Sequence, residues 1–172
     1  DDVDECIHIG NVNSSVAIDV AAGHGYGHDL TDIAAFIPEE YIDVPMEKIR
    51  IYKELDAAGD DKVLMRMRAN LEDRFGKIPV ELENLFLVVK IRNIGAKLGF
   101  EKIIIKNGLL IAFFISNQMS PYYKSTVHAN LFEKIVENPT LFNMKQSEGK
   151  LKIVARSIDT LSKAYSYLKK LQ

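Results

Sequence analysis

The chain has a single cysteine, Cys6, so it can form neither an internal disulfide nor a thiolate zinc cage. No apolar run reaches the roughly 18 residues that a membrane-spanning helix needs. The first residues lack the basic-then-apolar layout of a secretory leader. A reducing cytoplasm is the expected compartment, with no membrane partner. Positive charge is missing from one whole stretch: residues 1–47 hold eleven acids, among them Asp1, Asp2, Asp4 and Glu5, and no Lys or Arg. Phosphate cradles are missing as well. Gly76-Lys77-Ile78 and Gly149-Lys150-Leu151 have neither the Ser or Thr after the lysine nor the upstream glycine that phosphate and magnesium binding require. Gly23, Gly25 and Gly27 are spaced wrongly for a dinucleotide loop.

What is present suits one ordinary domain. The 172 residues are 47% apolar and 27% charged. A chain of this length buries about two thirds of its surface on folding, enough for a core without staples. Residues 48–172 hold the other thirteen acids and all twenty-two bases. The acidic and basic parts attract each other, or the basic part attracts something else.

Residues 1–32 show no sustained periodicity beyond a short strand pattern at Val16–Val20, and they read as an acidic N-terminal arm or linker. Residues 33–172 read as a single domain. Pro45 suits the first turn of a helix that continues through Ile49, Tyr52 and Leu55. Asp60 can cap a second helix, where Leu64, Met67, Leu71 and Phe75 form one stripe, and Gly76 stops it. A third runs from about Pro79 to Leu98 with apolar residues over so wide an arc that it should be packed on two sides. Asn107-Gly108 between Lys102–Lys106 and Leu109–Ile115 is a strong hairpin signature, and both flanks are apolar enough to belong inside a sheet. A helix near Thr126–Asn138, a second hairpin over about 142–156 and a last helix over about 158–171 follow. Helices separated by hairpins predict an α+β fold, with helices packed on a small antiparallel sheet built from the hairpins at about 102–115 and 142–156.

Candidate chemistry is sparse. His24 and His28 are four residues apart, but glycines surround them and no third or fourth ligand is evident, so no metal site is expected. An acidic neighbourhood blunts Cys6 as a nucleophile. His128 has no obvious catalytic partner, and no catalytic residue is expected. Tyr122 and Tyr123 beside Lys124 could stack a base but read better as a lid on the core. The basic surplus after residue 47 leaves open a small nucleic-acid-binding module, although its lysines form no run. On the second helix, Arg66, Asn70 and Asp73 lie opposite the apolar stripe, with Arg74 at its border. An acid in a helix's last turn opposes the helix dipole. This face is either solvated surface, with an Arg68–Glu72 pair, or a protein-binding surface.

Leu71-Glu72-Asp73-Arg74-Phe75-Gly76-Lys77-Ile78-Pro79-Val80-Glu81 resembles the "DRFG-x-x-P-x-E" signature of the C-terminal domain of bacterial transcription-repair coupling factors. Phe36-Ile37-Pro38-Glu39-Glu40-Tyr41-Ile42 and Lys48-Ile49-Arg50-Ile51-Tyr52-Lys53-Glu54-Leu55 resemble the motifs that precede it in that family. Ala96-Lys97-Leu98-Gly99 resembles its entry into the hairpin. The resemblance covers about residues 34–106. It implies a non-catalytic, autoinhibitory domain of an ATP-dependent DNA translocase that acts on stalled RNA polymerase in nucleotide excision repair. Such a domain docks on the parent's N-terminal UvrB-like module and masks the UvrA-binding surface. ATP and magnesium would belong to motor domains of the parent, with no cofactor in this chain, and the parent's partners would be UvrA, RNA polymerase and DNA. The family's docking residues fall on Asp73 and Arg74. Asn70 stands where the family often has an acid, and Arg66 shares its face.

Overall fold

The computed structural model describes residues 31–147 and 149–172. Residues 1–30 of the expected arm, with the strand pattern at Val16–Val20, Cys6, His24 and His28, lie outside the described residues, as does Glu148 in the second hairpin. Five α-helices and four strands follow in the order α1 Pro45–Ala57, α2 Asp61–Phe75, α3 Val80–Leu98, β1 Phe100–Lys106, β2 Leu109–Phe114, α4 Thr126–Glu137, β3 Asn143–Ser147, β4 Lys150–Arg156 and α5 Leu161–Lys169. The strands form one antiparallel sheet in the order β1-β2-β4-β3. This is the expected α+β fold.

Local chemistry sets the boundaries. Pro45 begins α1, and the Asp60 carboxylate accepts the Val63 N–H at the start of α2. Thr160 caps α5 in the same way. That helix begins later than the expected Ile158. Ser157 sits at φ 59°, and the Ile158 N–H is committed to the Gly108 carbonyl at 2.8 Å, so the chain cannot yet turn helically. Asn107 and Gly108 both adopt positive φ, as a two-residue hairpin turn demands. The hairpin is less enclosed than its sequence suggests: among the described strands β2 is central, but β1 is at the edge. Thr31 makes a single parallel bridge to Ile105 on that edge, and Asp32 accepts the Asn107 N–H.

Helix α3 is the hub. Leu82, Leu85, Phe86 and Val89 are buried, as are Ile91, Ile94 and Leu98, and the helix packs against α1, α4, α5 and β1. The sheet adds Ile103, Ile105, Leu110, Ala112, Phe114, Ile153 and Ala155 to the core. Two links fix the helical layer and position the outer surface of α1 and α2. Arg92 of α3, buried, donates to the Asp56 carboxylate at 2.7 Å and to the Asp56 carbonyl at 2.8 Å, tying down the end of α1. Burial pulls this guanidinium below its usual range, and Asp56 opposes that pull. The Tyr41 hydroxyl donates to the carbonyls of Leu71 and Gly76, each at 3.0 Å, and so holds the end of α2.

Candidate docking surface

Helix α2 turns its apolar stripe inward. Leu64 and Leu71 are buried, and Met67 and Phe75 pack half-buried against the core. Arg66, Asn70, Asp73 and Arg74 are consequently exposed, the placement their spacing predicts. Arg68 pairs with Glu72 at 2.8 Å, as i,i+4 spacing suggests, and also binds Glu83 of α3, which braces α2 from the side.

The candidate residues do not all meet. Asn70, Asp73 and Arg74 line an open groove of about 280 Å³ between α1 and α2, floored by Ile51 and Leu71 and walled by Arg50 and Glu54. Arg66 lies nearer the helix's N-terminus and does not line the groove. It acts instead on Asp60, whose carboxyl is held below its ordinary range first by the Val63 N–H, then by the Lys62 N–H, with the Arg66 charge a smaller contribution.

Within the groove the charges divide into engaged and unengaged groups. Glu47 accepts from Arg74 at 2.7 Å and from Arg50 at 2.6 Å, forming an Arg–Glu–Arg cluster across the two helices. These bonds, that of Arg74 first, hold the Glu47 carboxyl below the usual carboxylate range. Arg50 also approaches Glu54 at 3.9 Å. Asn70 and Asp73, by contrast, carry no side-chain hydrogen bond or ion pair among the described residues. A carboxylate without a cation, in the helix turn least suited to it, contributes nothing to the domain's own stability.

Sequence reasoning missed α1's half of this surface. Glu47, Arg50 and Glu54 repeat at i, i+3 and i+7 and share one face of α1. That signal was available, and the face borders the buried Ile51, but nothing in it indicates that the face abuts α2.

Elsewhere, polar groups serve the fold. Tyr122 donates to the Leu98 carbonyl at 2.7 Å and Tyr123 to that of Ile115, so both act as lids rather than exposed stacking platforms. His128 packs among Phe114, Tyr122, Tyr123 and Phe132. Among the described residues no group of three His, Cys, Asp or Glu side chains could hold a metal ion, and no helix is long and apolar enough to cross a membrane.

Comparisons with known proteins converge. A family model described as the TRCF domain matches residues 31–125. A transcription-repair-coupling factor of Rickettsia bellii is 30% identical over 122 residues, covering 69% of this chain and 11% of the relative. One from Staphylococcus epidermidis is 29% identical over 136 residues, covering 73% of this chain and 12% of the relative. The chain thus spans about a tenth of the length of these curated relatives. A crystal structure of the C-terminal domain of a transcription-repair coupling factor superposes with a TM-score of 0.66 at 16% identity, covering 83% of this chain and 91% of that one. At that identity the superposition speaks to the fold.

Proposed function

Because this chain belongs to the TRCF domain family, matched here through the C-terminal domain of transcription-repair coupling factors, we propose that it is a non-catalytic interaction domain that restrains its parent protein. The parent would be an ATP-dependent DNA translocase acting on stalled RNA polymerase in nucleotide excision repair. ATP and magnesium would belong to its motor domains. The α1/α2 groove would dock on an N-terminal UvrB-like module and cover the surface that UvrA uses.

One observation carries this reading. Asp73 is exposed and unpaired in the last turn of α2, beside an arginine already positioned by Glu47. A solvated face has no use for an acid there, whereas a basic partner does. Arg74 and Arg50, held in place by Glu47, would offer a partner carboxylate pre-oriented guanidinium groups.

The test is Asp73→Arg in the full-length parent, with Arg74→Glu as a second variant. A cation in the last turn suits the helix dipole by about 0.3–1 kcal/mol, so Asp73→Arg should not weaken the isolated domain. A desolvated charge contact turned repulsive costs about 2–5 kcal/mol. Docking and UvrA binding would compete for one surface, so apparent UvrA affinity and ATPase rate should both rise. If neither changes in a folded protein, the groove is ordinary solvated surface.

A further inference from the structure

The sheet has two faces of opposite character. One supplies the core. The other displays Ile104, Leu109, Ile111 and Phe113, all half-buried, beside Val154, which their side chains already bury, and none of these belongs to the core cluster. The register sets them in rows. Ile104, Ile111 and Val154 lie side by side across three strands. The next row on that face reads Lys102, Phe113, Lys152 and Lys145 across all four. Residues two apart on a strand lie about 7 Å apart, so an apolar row and a basic row run in parallel.

The charge on this face is one-sided. Lys150 and Arg156 join the lysines of the second row, and none of these five makes an ion pair among the described residues. The acid of the described strands is Glu101, which sits at the register shift in β1, where Ser116 binds it. Lys145 and Lys152 are direct cross-strand partners. Like charges directly opposite destabilise a sheet, so this pair weakens the free domain. Lys152 Nζ lies 5.5 Å from the Phe113 ring centre, which already occupies the aromatic side chain of the row.

We propose that this outer face is a second docking surface, distinct from the α1/α2 groove, for an acidic amphipathic polypeptide segment of a partner protein. Its apolar residues would cover the half-buried Ile104, Leu109 and Ile111, and its carboxylates would neutralise the lysine row. Five unpaired cations with no acid among them specify an anionic partner. The aliphatic row specifies apolar side chains beside those anions. A nucleic-acid strand fits less well, because it binds by stacking on aromatic rings and Phe113 is the single ring here, already shared with a lysine.

The full chain should be titrated against a fluorescein-labelled amphipathic peptide of glutamate and leucine, followed by anisotropy. Parallel titrations would use a version with leucine replaced by serine, one with glutamate replaced by lysine, and labelled oligothymidine. Binding should be confined to the glutamate–leucine peptide and should weaken as salt rises. Lys145→Glu converts a repulsive cross-strand pair into an attractive one, so it should raise the urea midpoint while weakening peptide binding about fivefold or more. A purely structural lysine pair would move the first readout and not the second. Phe113→Thr should also weaken binding. Three results would overturn the proposal: no binding of the glutamate–leucine peptide, equal binding by Lys145→Glu, or tighter binding of oligothymidine than of the peptide.

Discussion

Replacing Gly99 by alanine should damage the domain far more than the same change at Gly108, although both residues sit at positive φ, 82° and 70°. Gly99 ends α3 in the left-handed conformation, and Gly108 completes the first hairpin turn. At either position alanine costs about 1–2 kcal/mol in backbone energy alone. The difference is Tyr122. A Cβ on Gly99 would overlap ring atoms Cε2 and Cζ and lie 2.6 Å from Cδ2, whereas at Gly108 nothing stands within 4 Å. The ring would have to swing away. It would forfeit its hydroxyl bond to the Leu98 carbonyl, worth about 0.5–1.5 kcal/mol. It would also disturb the packing it shares with Tyr123 and His128, and such overfilling typically costs about 1–3 kcal/mol. The expected total is about 3–6 kcal/mol at Gly99 against about 1–2 kcal/mol at Gly108.

Urea unfolding followed by circular dichroism resolves differences of that size. A double-mutant cycle with Tyr122→Ala identifies the cause. With the ring gone, Gly99→Ala should fall to its backbone cost, leaving a coupling of about 2–4 kcal/mol between the two sites. Equal losses at Gly99 and Gly108, or a strictly additive cycle, would refute this account of how α3 is joined to the sheet.

Two further outcomes follow from the charged groups. Arg92→Ala should cost about 3 kcal/mol in the same assay, the low end for a broken buried pair because Asp56 keeps 31% of its side-chain surface exposed. Glu47 should titrate below its ordinary 4.5 by carboxyl NMR, and Arg74→Ala should move its midpoint back up. The native state therefore holds this proton more weakly than the unfolded chain does, so the stabilisation is complete above 4.5 and is lost as pH falls through the depressed native value.

The elements were legible because their signals are local. A capping aspartate, a stripe at helical spacing and an Asn-Gly turn each act over a few residues, and Asp60, the Leu64–Phe75 stripe and Asn107-Gly108 all did what those rules require. Arg92 was not legible. It lies on the apolar side of α3, and only the packing of α1 against that helix reveals that its charge meets Asp56, thirty-six residues away. The start of α5 was misplaced for a related reason: Ile158 is apolar and buried, as a helical residue would be, yet its N–H is taken by a carbonyl in the first hairpin turn.

The groove shows the same division between local and long-range information. The outward direction of Asn70, Asp73 and Arg74 follows from 3.6-residue periodicity, because their stripe neighbours must be buried. Their electrostatic state does not. The sequence places Arg74 at the border of the stripe and says nothing of its partner; it is bound to Glu47, twenty-seven residues earlier, and that carboxylate is shared with Arg50. A partner engaging Arg74 must therefore share it with Glu47 or displace that carboxylate, whereas a cation meeting Asp73 displaces nothing within the domain. The two arginines flanking Glu47 repel each other once the carboxylate is removed or protonated. The cluster therefore both orients the groove and makes its shape depend on a single ionised side chain. Asp73, with no such commitment, is the residue whose charge a partner can read at least cost to the fold.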